Sequence, residues 1–203
     1  MNRNYIFLTI LMIILAAGTL VIRHDKELKQ IEPEVLLQEI TQPTRYISTD
    51  QIARMIIKGD PSLMIVDVRN EDEFQEYSLP RSVSIPMENL LDKDNLSYFG
   101  VPGTKVVFVS NDDILSDQAW VLIKRLGYGS TYVMKGGLNC WMETIIDPTM
   151  PGEDAPEDAF VSYSFRKGAQ MFFTGAQGDD SDASKVDVQV RRREKTSVAA
   201  GGC

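Results

Sequence analysis

Few residues in this chain are able to do covalent chemistry. It holds a single histidine, His24, and two cysteines, Cys140 and Cys203. Serine and cysteine nucleophiles are most often activated by an imidazole. His24 lies just after an apolar N-terminal run, so the body of the chain has no Ser-His or Cys-His pair and no histidine metal cluster. Two cysteines make neither a disulfide framework nor a Cys-rich zinc site, and no cofactor or metal is expected. Cys140, beside Trp141, reads as a small buried apolar side chain. Cys203 ends the chain on Gly201-Gly202, downstream of Arg191-Arg192-Arg193. It reads as an incidental thiol on a solvated tail, with a swinging sulfur or metal carrier as the alternative.

The bulk numbers leave room for one ordinary domain with appendages: 203 residues, 43% hydrophobic and 25% charged. A net charge of −8 argues against nucleic-acid binding, which needs surplus Lys and Arg.

Five stretches follow from the pattern. Residues 1–24 contain an uncharged apolar run, Tyr5 to Ile22, at the lower length limit for crossing a bilayer. Its length favours an uncleaved single-pass anchor in a bacterial-type cytoplasmic membrane over a cleavable signal peptide. Arg23, Lys26 and Lys29 after the run tilt the following domain toward the cytoplasm, and the very short N-terminal tail tilts it the other way, so the side stays open. Residues 25–45 form a charged linker with a short helix over Glu32–Ile40, broken at Pro43. Residues 46–147 alternate apolar runs with helical periods. Leu63–Val68, Val83–Ile85, Lys105–Val109 and Thr131–Val133 read as strands. Helices are expected at Gln51–Ile57, Glu71–Tyr77, Met87–Leu91, Asp117–Leu126 and Leu138–Ile146. This alternation implies an α/β domain with a mostly parallel sheet covered by helices on both faces. Residues 148–174 are a Pro-rich linker and an amphipathic helix, with Phe160, Phe165, Met171 and Phe172 available for packing. Residues 175–203 read as a disordered tail.

Within the domain, Asp67-Val68-Arg69 with Glu73-Phe74 resembles the "DVR…EF" signature of rhodanese-like (sulfurtransferase) domains. Leu79-Pro80 and Ser84-Ile85-Pro86 resemble the family's next stretch. Leu126-Gly127-Tyr128, Val133–Leu138 and Trp141 resemble its "LGY…GG…W" ending. The resemblance runs in order from Tyr46 to Ile146 and implies the three-layer rhodanese-like fold. Read for themselves, Asp67, Arg69 and Glu73 are ordinary loop anchors or ion-pair partners. Gly136-Gly137 is a tight turn at positive φ.

The resemblance also implies where chemistry belongs. In rhodaneses a cysteine directly after the strand that here is Lys105–Val109 becomes a persulfide, within a loop whose amides hold an anion. Laid on this chain, that loop is Ser110-Asn111-Asp112-Asp113-Ile114-Leu115. Ser110 stands at the nucleophile position, Asp113 where the family has a small Gly, and Leu115 where it has an Arg. An alkoxide does not accept a sulfane sulfur, and two carboxylates oppose an anionic donor. The expectation is a membrane-tethered rhodanese-like domain, inactive as a thiosulfate sulfurtransferase. It would bind or scaffold a protein partner, sulfur-handling or redox in kind by analogy alone. The alternative is a sulfur relay through Cys203. The partner's identity and the oligomeric state are not legible.

Overall fold

The computed structural model describes residues 3–22 and 30–175, with the side chains of Arg3 and residues 19–22 left aside. His24, the Arg191–Arg193 cluster and Cys203 therefore lie outside the described residues, as does the whole of the expected tail after Gly175.

Helix α1 (Arg3–Ile22) exposes apolar side chains on every face, among them Phe7, Met12 and Ile13. Its described side chains span only residues 4–18, and among the described residues no helix is long and apolar enough to cross a membrane.

The lead-in begins with α2 (Pro33–Ile40), started by proline at its first position. A 3₁₀ turn (Pro43–Arg45) then delivers strand β1 (Tyr46–Ile47). Helix α3 (Thr49–Ile57) starts from a full capping box: the Ser48 side chain accepts from the Gln51 amide, and Gln51 answers on the Ser48 amide. Strand β2 (Leu63–Asp67) is followed by α4 (Glu71–Glu76), capped by the Asn70 side chain on the Glu73 amide. Strand β3 (Ser82–Ser84) leads through a 3₁₀ turn (Met87–Asn89) and the short α5 (Lys93–Leu96) to β4 (Lys105–Val109). Helix α6 (Asp113–Arg125), β5 (Thr131–Met134), α7 (Gly137–Trp141) and a π-helical turn (Met142–Ile146) complete the domain, and α8 (Glu157–Thr174) follows.

The strands form one fully parallel sheet in the order β1-β5-β4-β2-β3. Parallel strands need crossover helices, which cover both faces and explain the near-continuous apolar runs of β2 and β4. On one face Ile65, Val107 and Met134 pack with Ile52 and Ile56 of α3, Trp141 of α7 and Ala169 of α8. On the other, Val66, Phe108 and Val133 pack with Trp120 and Ile123 of α6 and with Phe99.

Four expectations shift. Helix α6 begins at Asp113 rather than Asp117, because the Asp112 carboxylate caps it by accepting from the Ile114 amide at 2.9 Å. Met87–Leu91 is only a 3₁₀ turn, and Leu138–Ile146 divides into an α-helical and a π-helical turn. Helix α8 docks through Phe165, Ala169 and Phe173, while Met171 and Phe172 are exposed. The spacing i, i+4, i+8 places the first three on one stripe, and Phe173 meets Trp141 edge-on with centroids 5.0 Å apart. An Arg166–Asp50 pair with two contacts of 2.9 Å fastens the same helix to α3.

Candidate functional site

In a parallel α/β sheet the loops at the carboxyl ends of the strands gather into one crevice. Here Asp67 ends β2 and Ser110 follows β4 directly. The Gly136-Gly137 turn follows β5. These ends are neighbours in the sheet, and the Val68 amide donates to the Val109 carbonyl at 3.0 Å.

Asp67 and Arg69 are both buried. The Arg69 guanidinium meets the Asp67 carboxylate through Nε (2.9 Å to Oδ1) and Nη2 (2.6 Å to Oδ2), the fork geometry that favours arginine over lysine. Nη2 also donates to the Tyr77 carbonyl at 2.6 Å, and Nη1 to Asn111 Oδ1 at 3.1 Å. The Asn111 side-chain amide donates in turn to Glu73 Oε1 at 2.9 Å. Asp67, Arg69, Asn111 and Glu73 thus form a hydrogen-bonded line from β2 across the loop to α4. Its geometry is that of an anchor that fixes the loop's first turn. Burial pushes the Tyr77 hydroxyl above the ordinary tyrosine range, and that hydroxyl accepts from Trp141 Nε1 at 3.0 Å.

The second half of the loop closes on itself. Ser110 is 1% exposed. Its hydroxyl donates to the Asp112 carbonyl and accepts from the Ser116 amide at 3.2 Å. Ser116, also buried, places its own hydroxyl 3.2 Å from the Asp112 and Asp113 carbonyls. The Asp113 carboxylate accepts from the Gly136 amide. Burial raises the Asp113 carboxyl above the ordinary aspartate range. The neighbouring Asp117 and Asp112 charges add to the rise, against the Gly136 hydrogen bond and Lys135. The Ile114, Ser116 and Gly136 amides therefore already meet acceptors from the chain itself. Ile114 is exposed and Leu115 packs against the α6-side core.

Gly137 clamps this loop from the other side. Its φ is +59, and a Cβ there would meet the Ser110 carbonyl oxygen at 2.6 Å and the Asn111 carbonyl carbon and oxygen at 2.7 Å each. That closeness lets the Leu138 amide donate to the Ser110 carbonyl (2.8 Å) and the Asn139 amide to the Asn111 carbonyl (3.0 Å). Cys140, on the same turn of helix, is buried as expected but is disulfide-bonded rather than a free thiol.

The crevice thus brings Ser110, Asn111, Asp112, Asp113, Asp67, Arg69, Glu73 and Gly137 together, with Trp141 beneath. Sequence reasoning passed over Ser116 and Tyr77, which take part through a hydroxyl and a carbonyl that no motif singles out.

The fold is that of a rhodanese-like α/β domain with a parallel central sheet flanked by helices. The rhodanese-like domain family model matches residues 48–144, so the chain contains a rhodanese-like domain. It is 31% identical over 108 residues to an uncharacterized protein of Buchnera aphidicola, across 52% of this chain and 73% of that one. To a thiosulfate:glutathione sulfurtransferase of Saccharomyces cerevisiae it is 25% identical over 105 residues, covering 47% and 76%. Among solved structures it is similar to a rhodanese-like domain protein from Staphylococcus aureus (24% identity, TM-score 0.43, 49% of this chain and 93% of that one).

Proposed function

We propose that this protein is a membrane-tethered rhodanese-like domain that has lost sulfur transfer at its family loop and acts as a binding or scaffolding module. One observation carries the reading: Ser110, at the position the family resemblance gives to the nucleophile, is buried with its hydroxyl engaged by Asp112 and Ser116. In sequence the one histidine, His24, is remote from this loop, so no neighbouring residue offers an imidazole base. Asp112 and Asp113 oppose an anionic sulfur donor, and Leu115 brings no charge where the family has Arg. The tether rests on the uncharged run Tyr5–Ile22. The partner is a protein, sulfur-handling or redox in kind.

A relay through Cys203 is the competing function. That reading rests on the sequence alone, where Cys203 follows Gly201-Gly202 downstream of Arg191–Arg193. The discriminating experiment is intact-mass spectrometry of the reduced full chain after incubation with thiosulfate. The binding-module reading expects no added sulfur. A persulfide that disappears in Cys203→Ser overturns it in favour of the relay.

A further inference from the structure

The opposite end of the sheet carries a second site. Thr131 opens β5 and is 4% exposed, yet its Oγ1 is a buried oxygen with no hydrogen-bond partner among the described residues. Buried hydroxyls are almost always satisfied, so an orphan asks for a partner that is not part of the chain. Its neighbour Ser130 holds φ +52, a left-handed conformation rare for a residue with a side chain.

Both residues line a cavity of about 240 Å³ whose other walls include Glu39 of α2, Arg45 of the 3₁₀ turn, and Trp120 and Lys124 of α6. Two cations flank one indole: the Arg45 guanidinium lies 5.4 Å and the Lys124 ammonium 5.8 Å from the Trp120 ring centroid. Each is held by one acid. Arg45 Nε and Nη2 reach Asp117, with Nη2 also on the Tyr46 hydroxyl, and Lys124 Nζ lies 3.1 Å from Glu39. Arg45 Nη1 and the further ammonium hydrogens of Lys124 have no partner among the described residues, so the cavity has spare donors from two cations and a hydroxyl.

We infer that this cavity binds a small oxyanion, of carboxylate or sulfate size, received by Arg45, Lys124 and the Thr131 hydroxyl. Donor-rich, partly buried arginine and lysine recognise such groups, and the volume has room for one small molecule. Glu39 and Arg45 lie outside residues 48–144, so one wall comes from the lead-in and not from the matched domain. The lead-in is already strapped to α6, the Ile31 amide donating to the Arg125 carbonyl at 3.0 Å and Arg125 Nε to Gln30 Oε1 at 2.9 Å. A bound anion therefore fastens the segment that follows the apolar helix onto the domain.

The test is an amide NMR titration of the full chain in neutral detergent with sodium sulfate, against sodium chloride at matched ionic strength. Parallel arms with phosphate and malonate separate inorganic oxyanions from carboxylates. Saturable shifts at Ser130, Thr131 and Lys124 that chloride does not produce are expected, weakened about tenfold or more in both Lys124→Gln and Thr131→Val. Thr131→Val without ligand should melt no lower than the wild type, since it removes an unpartnered hydroxyl. Linear, non-saturating shifts in all three arms, or affinity unchanged in both variants, overturn the assignment.

Discussion

Replacing Gly137 with alanine tests whether the Ser110 loop is held by backbone packing. The new Cβ would stand 2.6–2.7 Å from the Ser110 and Asn111 backbone, closer than real Cβ contacts allow, so turn and loop must separate. A non-glycine residue in a left-handed conformation costs about 1–2 kcal/mol. Loss of the Leu138–Ser110 and Asn139–Asn111 hydrogen bonds adds about 1 kcal/mol each. The total is about 3–4 kcal/mol, a large share of a typical domain's stability. Gly59 supplies the control: its φ is +65, but a Cβ there meets nothing within 4 Å, so Gly59→Ala should cost only the conformational part, about 1–2 kcal/mol. Urea denaturation of both variants measures the difference. Equal losses would refute the clamp, because conformation alone would then explain both.

Three further outcomes are expected. Ser110→Cys alone should give almost no thiosulfate:cyanide turnover, since position 110 is buried and Asp112, Asp113 and Leu115 remain in the loop; robust turnover in a coupled assay contradicts a spoiled anion cradle. Asp113→Asn should stabilise the domain at neutral pH. A carboxyl raised in the folded state binds its proton more tightly there than in the unfolded chain, so stability falls as pH rises from the ordinary aspartate value through the raised one and stays lower above it. Urea midpoints measured against pH should lose that fall in the variant, and an unchanged profile excludes Asp113 as its source. Phe173→Ala should cost about 3 kcal/mol through lost packing on Trp141, whereas Phe172→Ala, 56% exposed, should cost under about 0.5 kcal/mol; equal thermal shifts contradict the docking face.

The sheet was legible because its strands announce themselves as apolar runs: Leu63–Asp67 and Lys105–Val109 stand within a residue of where hydrophobic patterning puts them. Strand β1 was not, since two residues carry no period and Tyr46–Ile47 is a strand only by pairing with β5. The early start of α6 was hidden because Asp112 caps through its side chain in a stretch that also reads as loop. On α8 six aromatic or sulfur-bearing residues compete for the docking stripe, and only the partner surface chooses Phe165 and Phe173 over Met171 and Phe172. At the crevice, motif order located Ser110 and the Gly136-Gly137 turn. What holds Ser110 is a carbonyl of Asp112 and an amide of Ser116, main-chain groups that every residue type carries. The orphan Thr131 hydroxyl is likewise invisible in sequence, being defined by what is missing around it.

The most direct measurement is steady-state thiosulfate:cyanide sulfurtransferase activity of the reduced full chain, alongside Ser110→Ala. A loop that no longer transfers sulfur predicts turnover indistinguishable from buffer in both proteins. Turnover in the wild type that Ser110→Ala abolishes, without loss of thermal stability, would contradict it.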